Sequence, residues 1–496
     1  MNSNFKKIGI ALIFGLILSL PVISYSAAQS QSSQWSPPEQ LSSQDGLSSR
    51  GYMVSDRYGY VHTFWVETDL PIGRPEIFYS RFDGESWSAP NDIFVAPSTD
   101  AQIEFLSPFV DKAGTLHLLW AENSTGPLKY SSAPALDAIS AKSWSKPLVI
   151  DASAYWAQLL VDSKGTFHII YADFYGEQPG IYYIRSTNQG QTWSSPFRLD
   201  PGIPSHFAPA LVQAGIDDQD GLHAAWYYLN TTIEGSPGDL ISYSRSLDGG
   251  TTWSSPFILD QADEGPDELR LPYPMLTVNG STLAVAWAGD ARVHHEARIS
   301  TDRGQTWSQP TIILGDLVGS ALGGGLAADA AGRIHYLTQV RYPQGIYHVV
   351  WDHGSWSLPD LVYLIKRNSS DSLGSRIHAH NVRLAIRNGN QLVITFTPPP
   401  TDPSVILYSM HYDLSDIEPL ALLPTPTATS EPVATQNSAP ISNPGGPANG
   451  ETANTSLQHL PRASSNFNPA KGVVWGLIPA LILLVLIIFY HLFRRD

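Results

Sequence analysis

One pattern returns through most of the chain: Trp-Ser-x-Pro, at Trp35, Trp87, Trp144, Trp193, Trp253, Trp307 and Trp356. Its spacing of about fifty residues is the length of one small antiparallel sheet with its turns. A second signal travels with it, an apolar strand, a Gly-bearing turn and another apolar strand that often carries His and ends in Trp. Residues 109–120 show it fully, and counterparts begin near Met53, Leu160, Leu211, Met275, Leu326 and Leu384. A third signal is a Tyr-Ser strand, as at Tyr79, Tyr130, Tyr243 and Tyr408. Each unit therefore reads as four antiparallel strands, a to d. A lone four-stranded sheet cannot cover both of its faces, so such units pack radially around an axis. The expected fold is all-β, a β-propeller of seven blades, with six as the alternative count.

The signals are offset at the two ends of the repeat region. Trp35 has no strands a to c before it, and the unit starting near Leu384 has no Trp-Ser-x-Pro after it. The N-terminal strand is therefore expected to complete the last blade, closing the ring and removing two free edges.

Composition agrees. Trp, Tyr, Gly and Pro are plentiful and charged residues make up only 15%, which suits short strands and turns. The 29 Lys and Arg against 45 Asp and Glu give a formal charge of −16, which disfavours a nucleic-acid partner. With no cysteine, disulfides, thiolate metal sites and cysteine nucleophiles are excluded.

Both ends read as membrane-directed. Lys6 and Lys7 precede an apolar run over 8–20, and Ser26-Ala27-Ala28 fits a signal-peptidase site, so 1–28 is expected to be a signal peptide. Residues 29–419 would form the propeller domain. Residues 420–471 are rich in Pro, Thr and Ser and read as a disordered stalk. Residues 472–492 are long and apolar enough for a transmembrane helix, with Trp475 and Tyr490 near its ends. Arg494 and Arg495 fall in a cytoplasmic tail, 493–496, as the positive-inside rule expects. The expectation is a single-pass protein of the cell membrane with its N-terminal domain outside the cell.

The turn between strands c and d carries a further motif. Ser246, Asp248, Gly250 and Trp253 fall in a Ser-x-Asp-x-Gly-x-x-Trp pattern, and Ser300, Asp302, Gly304 and Trp307 repeat it. Ser186 to Trp193 matches with Asn188 in the Asp position, followed by Gly190 and Trp193. Asp or Asn accepts backbone N–H bonds to close such a turn, Gly supplies the unusual dihedral, and Trp packs beneath. These motifs resemble the Asp boxes (BNR repeats) of sialidase-like propellers, over about residues 34–414. In that family the box is structural and lies away from the active face, and six blades are usual.

The resemblance implies binding of a glycan or surface protein ligand at the opposite face, and as an alternative an exo-sialidase that cleaves terminal sialic acid or a related acidic sugar. Sialidase chemistry needs arginines that grip a carboxylate bidentately, a tyrosine nucleophile with a glutamate partner, and an acid/base aspartate. On the face carrying the segments before strand a and the b–c loops stand the candidates Arg50, Asp69, Glu268, Arg270, Tyr342 and Arg376. The Phe/Tyr-Arg-Ile-Pro motif of sialidases is absent, with Ser49-Arg50-Gly51-Tyr52 in its place. Tyr408 occupies the strand-c slot of Tyr79, Tyr130 and Tyr243, where packing is expected. Tyr155, Trp156, His206, Phe207 and Tyr273 lead into strands a, where stacking on sugar rings and aromatic packing between blades explain them equally well. His62, His117, His168, His223 and His335 share one repeat slot, which points to packing. No metal or cofactor is expected: His378-x-His380 lacks a third ligand, and Asp218-x-Asp220-Gly221 falls at an a–b turn.

Overall fold

The computed structural model describes residues 34–43, 47–68, 70–123, 126–154, 156–203, 207–230, 240–261, 273–288, 294–318, 324–341, 343–365, 380–397 and 406–424. These belong to one compact unit, Met1–Pro426; a second, Thr427–Asp496, lies outside them. The expected signal peptide, most of the stalk and the apolar C-terminal segment also fall outside the described residues. Among the described residues no helix is long and apolar enough to cross a membrane.

Seven antiparallel sheets of four or five strands follow one another, six built from strands adjacent in the chain and the seventh joining the N-terminal strand to the last three. The chain is an all-β propeller of seven blades. Blade 1 runs from Tyr52–Ser55 through Val61–Thr68 and Glu76–Phe82 to Asn91–Val95. The innermost strands of blades 2 to 6 are Ile103–Val110, Trp156–Val161, Phe207–Ile216, Met275–Asn279 and Gly324–Ala328. Blade 7 contains His380–Arg387, Gln391–Thr397 and Tyr408–Asp413, and its outer strand is the N-terminal Glu39–Gln40. Glu39 pairs with Ser409 and Gln40 with Tyr408, so the ring closes by the N-terminal strand, as the offset of the repeat signals implied.

The repeat residues do their work between strands and between blades. In five blades an Asp of the a–b turn faces the Nε2 of the strand-b His at 3.1–3.4 Å. In four of them the His Nδ1 meets a strand-c Tyr hydroxyl at 2.7–2.8 Å. The Asp also accepts the N–H groups of its own turn, for example Tyr58 and Tyr60 onto Asp56. Each His is thus a buried link between turn and sheet, with both ring nitrogens hydrogen-bonded in four of the five; His168 Nε2 faces Asp162 at 3.4 Å without a hydrogen bond. Blade 6 keeps the Asp and His but has His348 in the Tyr slot, 3.0 Å from His335. Tyr408 does not occupy this slot. The register puts Ser409 there, opposite Thr395, and Tyr408 is one residue off and therefore on the other face of the sheet.

The Ser-x-Asp-x-Gly-x-x-Trp turns lock neighbouring blades. In blade 4 the Ser246 hydroxyl accepts from Gly250 N at 2.9 Å, while Asp248 Oδ1 accepts from the N–H groups of Thr251 and Thr252. Ser300 and Asp302 repeat the arrangement in blade 5, and Ser186 with Asn188 in blade 3. Gly250 has φ +78°, and a Cβ there would collide with the Tyr183 hydroxyl of blade 3. Trp253 then stacks edge-on against Tyr183 at 5.2 Å, as Trp307 does against Tyr243 at 4.9 Å. The Asp248 hydrogen bonds are exposed, so Asp248→Ala is expected to cost only about 1 kcal/mol. A urea denaturation series on the full-length chain checks this, and a loss above about 3 kcal/mol would show that the turn matters more than its geometry suggests.

Asp218 and Asp220 serve blade contacts. Arg303 of blade 5 bonds Asp217 and Asp218 of blade 4, and Asp220 accepts from Ser163 N of blade 3. After strand c of blade 7 the chain crosses the a–b turns: Leu414 N bonds Asn390 O, Leu420 N bonds Asn388 O, and Leu423 N bonds Arg57 O of blade 1. Arg333 of blade 6 holds Asp416 of this strap at 2.8 Å.

Candidate functional site

The a–b and c–d turns share one face, as the Arg303 contacts show, which leaves the segments before each strand a to converge on the other side of the axis. A small cleft, with a cavity volume of about 10 Å³, lies among these inner strands, lined by Arg50, Trp156, Gln213, Tyr273 and Arg383, with Leu211, Pro274 and Met275. Five blades contribute to it, which places it at the centre of the ring. Most of its polar lining can donate hydrogen bonds, and no carboxylate lines it among the described residues.

Arg50 precedes the inner strand of blade 1. Its guanidinium carbon lies 5.3 Å from the centroid of the Trp156 ring, a cation–π arrangement between blades 1 and 3. Among the described residues no carboxylate pairs with Arg50. The chain can bring Arg50 inward because the next residue is Gly51. A Cβ on Gly51 would sit 2.6 Å from Thr395 Oγ1 and 3.2 Å from Thr63 Oγ1, so a side chain there would wedge blades 7 and 1 apart.

Arg383 comes from the inner strand of blade 7, directly opposite Thr395 of the neighbouring strand. Its Nη1 donates to Val382 O at 3.0 Å and Gly324 O at 3.4 Å, bridging toward blade 6. Burial, with the nearby Arg50 charge adding to it, pulls its pKa down to about 10, so Arg383 is still a cation at neutral pH. Burial pushes the Tyr273 phenol upward, which keeps it a neutral hydrogen-bond donor. Trp156 is 6% exposed, and its Nε1 has no hydrogen-bond partner among the described residues.

Of the six positions expected from sequence, the structure describes Arg50 alone and puts it in the central cleft. Asp69, Glu268, Arg270, Tyr342 and Arg376 lie outside the described residues, as do Tyr155, His206 and His378. Two of the aromatics noted beside them, Trp156 and Tyr273, do line the cleft, whereas Phe207 packs edge-on against Tyr228 inside blade 4. Sequence reasoning missed Arg383. The signal was available: Arg383, Ala385 and Arg387 alternate along one strand face, and a charged residue at the first of these positions stands where the inner strand enters the channel. Among the described residues no group of His, Asp or Glu is placed to hold a metal ion.

No protein-family model matches the chain, and no curated protein matches it. Among solved structures, an ulvan lyase described as a polysaccharide lyase aligns at a TM-score of 0.49 and 11% identity, over 75% of this chain and 95% of its own. The α-L-arabinofuranosidase of Fusarium graminearum aligns at 0.42 and 14%, over 65% of this chain and 96% of its own. A Hadza microbial sialidase aligns at 0.39 and 14%, over 75% of this chain and 66% of its own. The structural neighbours of this seven-bladed propeller thus include a sialidase and other glycan-acting enzymes, all at low identity.

Proposed function

We propose that the protein is a sialidase-like, Asp-box propeller displayed outside the cell, which recognises the acidic group of a glycan in its central cleft. The observation that carries this reading is the pair Arg50 and Arg383, brought from blades 1 and 7 to one cleft that no described carboxylate lines. Two planar guanidinium groups suit a carboxylate or sulfate ester because each can donate a pair of parallel N–H bonds. Trp156 and Tyr273 offer aromatic surface and single donors for the sugar that bears the charge. The signal peptide, stalk and apolar C-terminal segment read from the sequence support a tethered, outward-facing display.

The test is retention of acidic and matched neutral oligosaccharides by the full-length chain purified in detergent. Sialylated, uronate-bearing or sulfated glycans should bind and their neutral counterparts should not. Arg50→Ala and Arg383→Ala should each weaken binding by about tenfold or more, the scale of one lost charged hydrogen-bonding group. Equal retention of neutral glycans, or no effect of either substitution on a folded protein, would overturn the proposal. Sugar release from a fluorogenic sialoside, measured alongside, separates binding alone from hydrolysis.

A further inference from the structure

The central cleft, at about 10 Å³, has room for little more than one water-sized group. It can take an oxygen of an acidic group, and the sugar that carries this group must lie beyond it. A larger hollow, of about 260 Å³, is lined by Thr68, Gly73 and Arg74 of blade 1 and by Thr99, Asp100 and Gln102 ahead of blade 2. Its first wall is the loop between strands b and c of blade 1, and its second leads into the inner strand Ile103–Val110. It therefore opens on the same face as the central cleft. The path to Arg50 is short: Leu47 pairs with Thr68 and Ser48 with Glu67, while Ser49 N donates to Val66 O at 2.7 Å. Arg50 is three residues from Leu47, so its Cα lies within about 16 Å of that of Thr68.

The two walls are fixed before any ligand arrives. Gly73 N donates to Leu70 O at 2.8 Å and closes the blade 1 loop at a φ of +69°. On the other side Asn123 N donates to Gln102 O at 2.6 Å, and Asn123 Oδ1 accepts from Gln102 N at 3.0 Å. Pro75 and Ala101 are buried and give the hollow an apolar floor, whereas Arg74 is half-buried and Asp100 and Gln102 are exposed around it. Arg74 only donates hydrogen bonds, Asp100 as a carboxylate only accepts them, and Gln102 does both. Sugar hydroxyls also donate and accept, so this mixed set matches a polyhydroxylated unit, with the floor meeting its C–H face. The opposite charges of Arg74 and Asp100 favour a unit without charge of its own, unlike the two arginines of the central cleft. The volume falls just below the roughly 300–1,000 Å³ of sites for drug-sized ligands, which suits one sugar residue.

We infer that the hollow between blades 1 and 2 is a second subsite for the same glycan, and that it holds a neutral sugar residue while the central arginines hold the acidic end. The inference rests on the reading of the central cleft as the site of the acidic group. The ligand is then an oligosaccharide with a charged terminus, and the protein reads its chain as well as its charge.

The test is isothermal titration of lactosamine chains of increasing length into the full-length chain in detergent, each chain capped with N-acetylneuraminic acid, glucuronic acid or sulfate. Affinity is expected to rise by about tenfold or more at the length that reaches the hollow. Asp100→Ala and Arg74→Ala should remove this rise, so that long and short chains bind alike. Thr99→Trp, a bulky side chain at an exposed position on the rim, should fill the hollow and do the same. Circular dichroism identifies the variants that fold. Affinity independent of chain length, or a rise kept in the folded variants, overturns the inference and leaves the acidic reading of the central cleft standing. A rise lost in these variants but untouched by Arg50→Ala sustains the hollow and overturns the acidic reading; no binding of any chain overturns both.

Discussion

Replacing Trp35 by Ala is expected to lower the unfolding free energy by about 3–5 kcal/mol, the range for a large aromatic lost from a core. Trp35 is 6% exposed. It lies 5.4 Å from Tyr412 and edge-on to His348 at 6.1 Å, in a core shared with Leu337, Ile346, Val382 and Leu392. It thus joins blade 6 to blade 7. Its neighbours hold the only short strand that closes the ring: Ser36 N donates to His411 O, and Leu41 N to Leu407 O. Every other outer strand is tied to its blade by a chain turn, but this one is tied by contacts alone. Trp87→Ala, at a half-exposed position in blade 1, should therefore cost clearly less. Loss of Trp35 also loosens an edge strand, so the variant should associate more readily on partial unfolding. Urea denaturation of the full-length chain, followed by near-ultraviolet circular dichroism, gives the comparison. A cost for Trp35→Ala below about 1 kcal/mol, or no greater than that of Trp87→Ala, would remove the closure from the account of stability.

That closure could be read from the sequence, and the cleft could be read only in part. The fold announces itself because its signals are local and repeated. A turn Asp accepts from its own backbone, a Gly takes a positive φ, and a Trp packs on the preceding blade, all within a few residues of chain. Seven repetitions then make a count, and the mismatch of its two ends makes a ring. The central cleft has no such redundancy. It is assembled from one to three residues of each of five blades, and nothing in the chain near Arg50 says which other cation will face it. Arg50 could be found because topology gives its face. Arg383 was hidden because the inner strand of blade 7 starts at His380, earlier than its apolar run from Leu384 suggests. An arginine just ahead of that run reads as a flanking residue until the strand is extended through it. The misplacement of Tyr408 has a similar cause: Tyr-Ser recurs at the right distance, but strand pairing has a period of two, and one residue of slip changes the face.

Blade 6 departs from the repeat in a way that makes the protein sensitive to acid, and His348→Tyr is expected to remove that sensitivity. His348 sits where four other blades carry Tyr, and its Nε2 bonds His335 Nδ1 at 3.0 Å. Because His335 gives its other nitrogen to Asp329, its Nδ1 accepts, and neutral His348 must be the donor. Burial holds the His348 pKa down to about 3. The unfolded imidazole protonates near pH 6.5. Below that pH the unfolded chain gains a proton that the folded one refuses, so stability falls by about 1.4 kcal/mol per pH unit until about pH 3. Asp329 acts in another window. Its pKa is depressed to about 2, where burial opposes the shift and hydrogen bonds from His335 and Arg333 outweigh it, so its contribution is present above about pH 4 and lost below. His168 and His223, also lowered by burial, contribute equally to parent and variant. Tyrosine does not titrate in this range, and the slot already matches: Trp35 meets His348 edge-on as Trp253 meets Tyr183 and Trp307 meets Tyr243. Between pH 6.5 and 4.5 the parent should therefore lose about 2–3 kcal/mol more than His348→Tyr. Unfolding free energies of the two full-length proteins at three pH values across that range measure the difference, and parallel pH profiles would mean that His348 already carries its proton in the folded state.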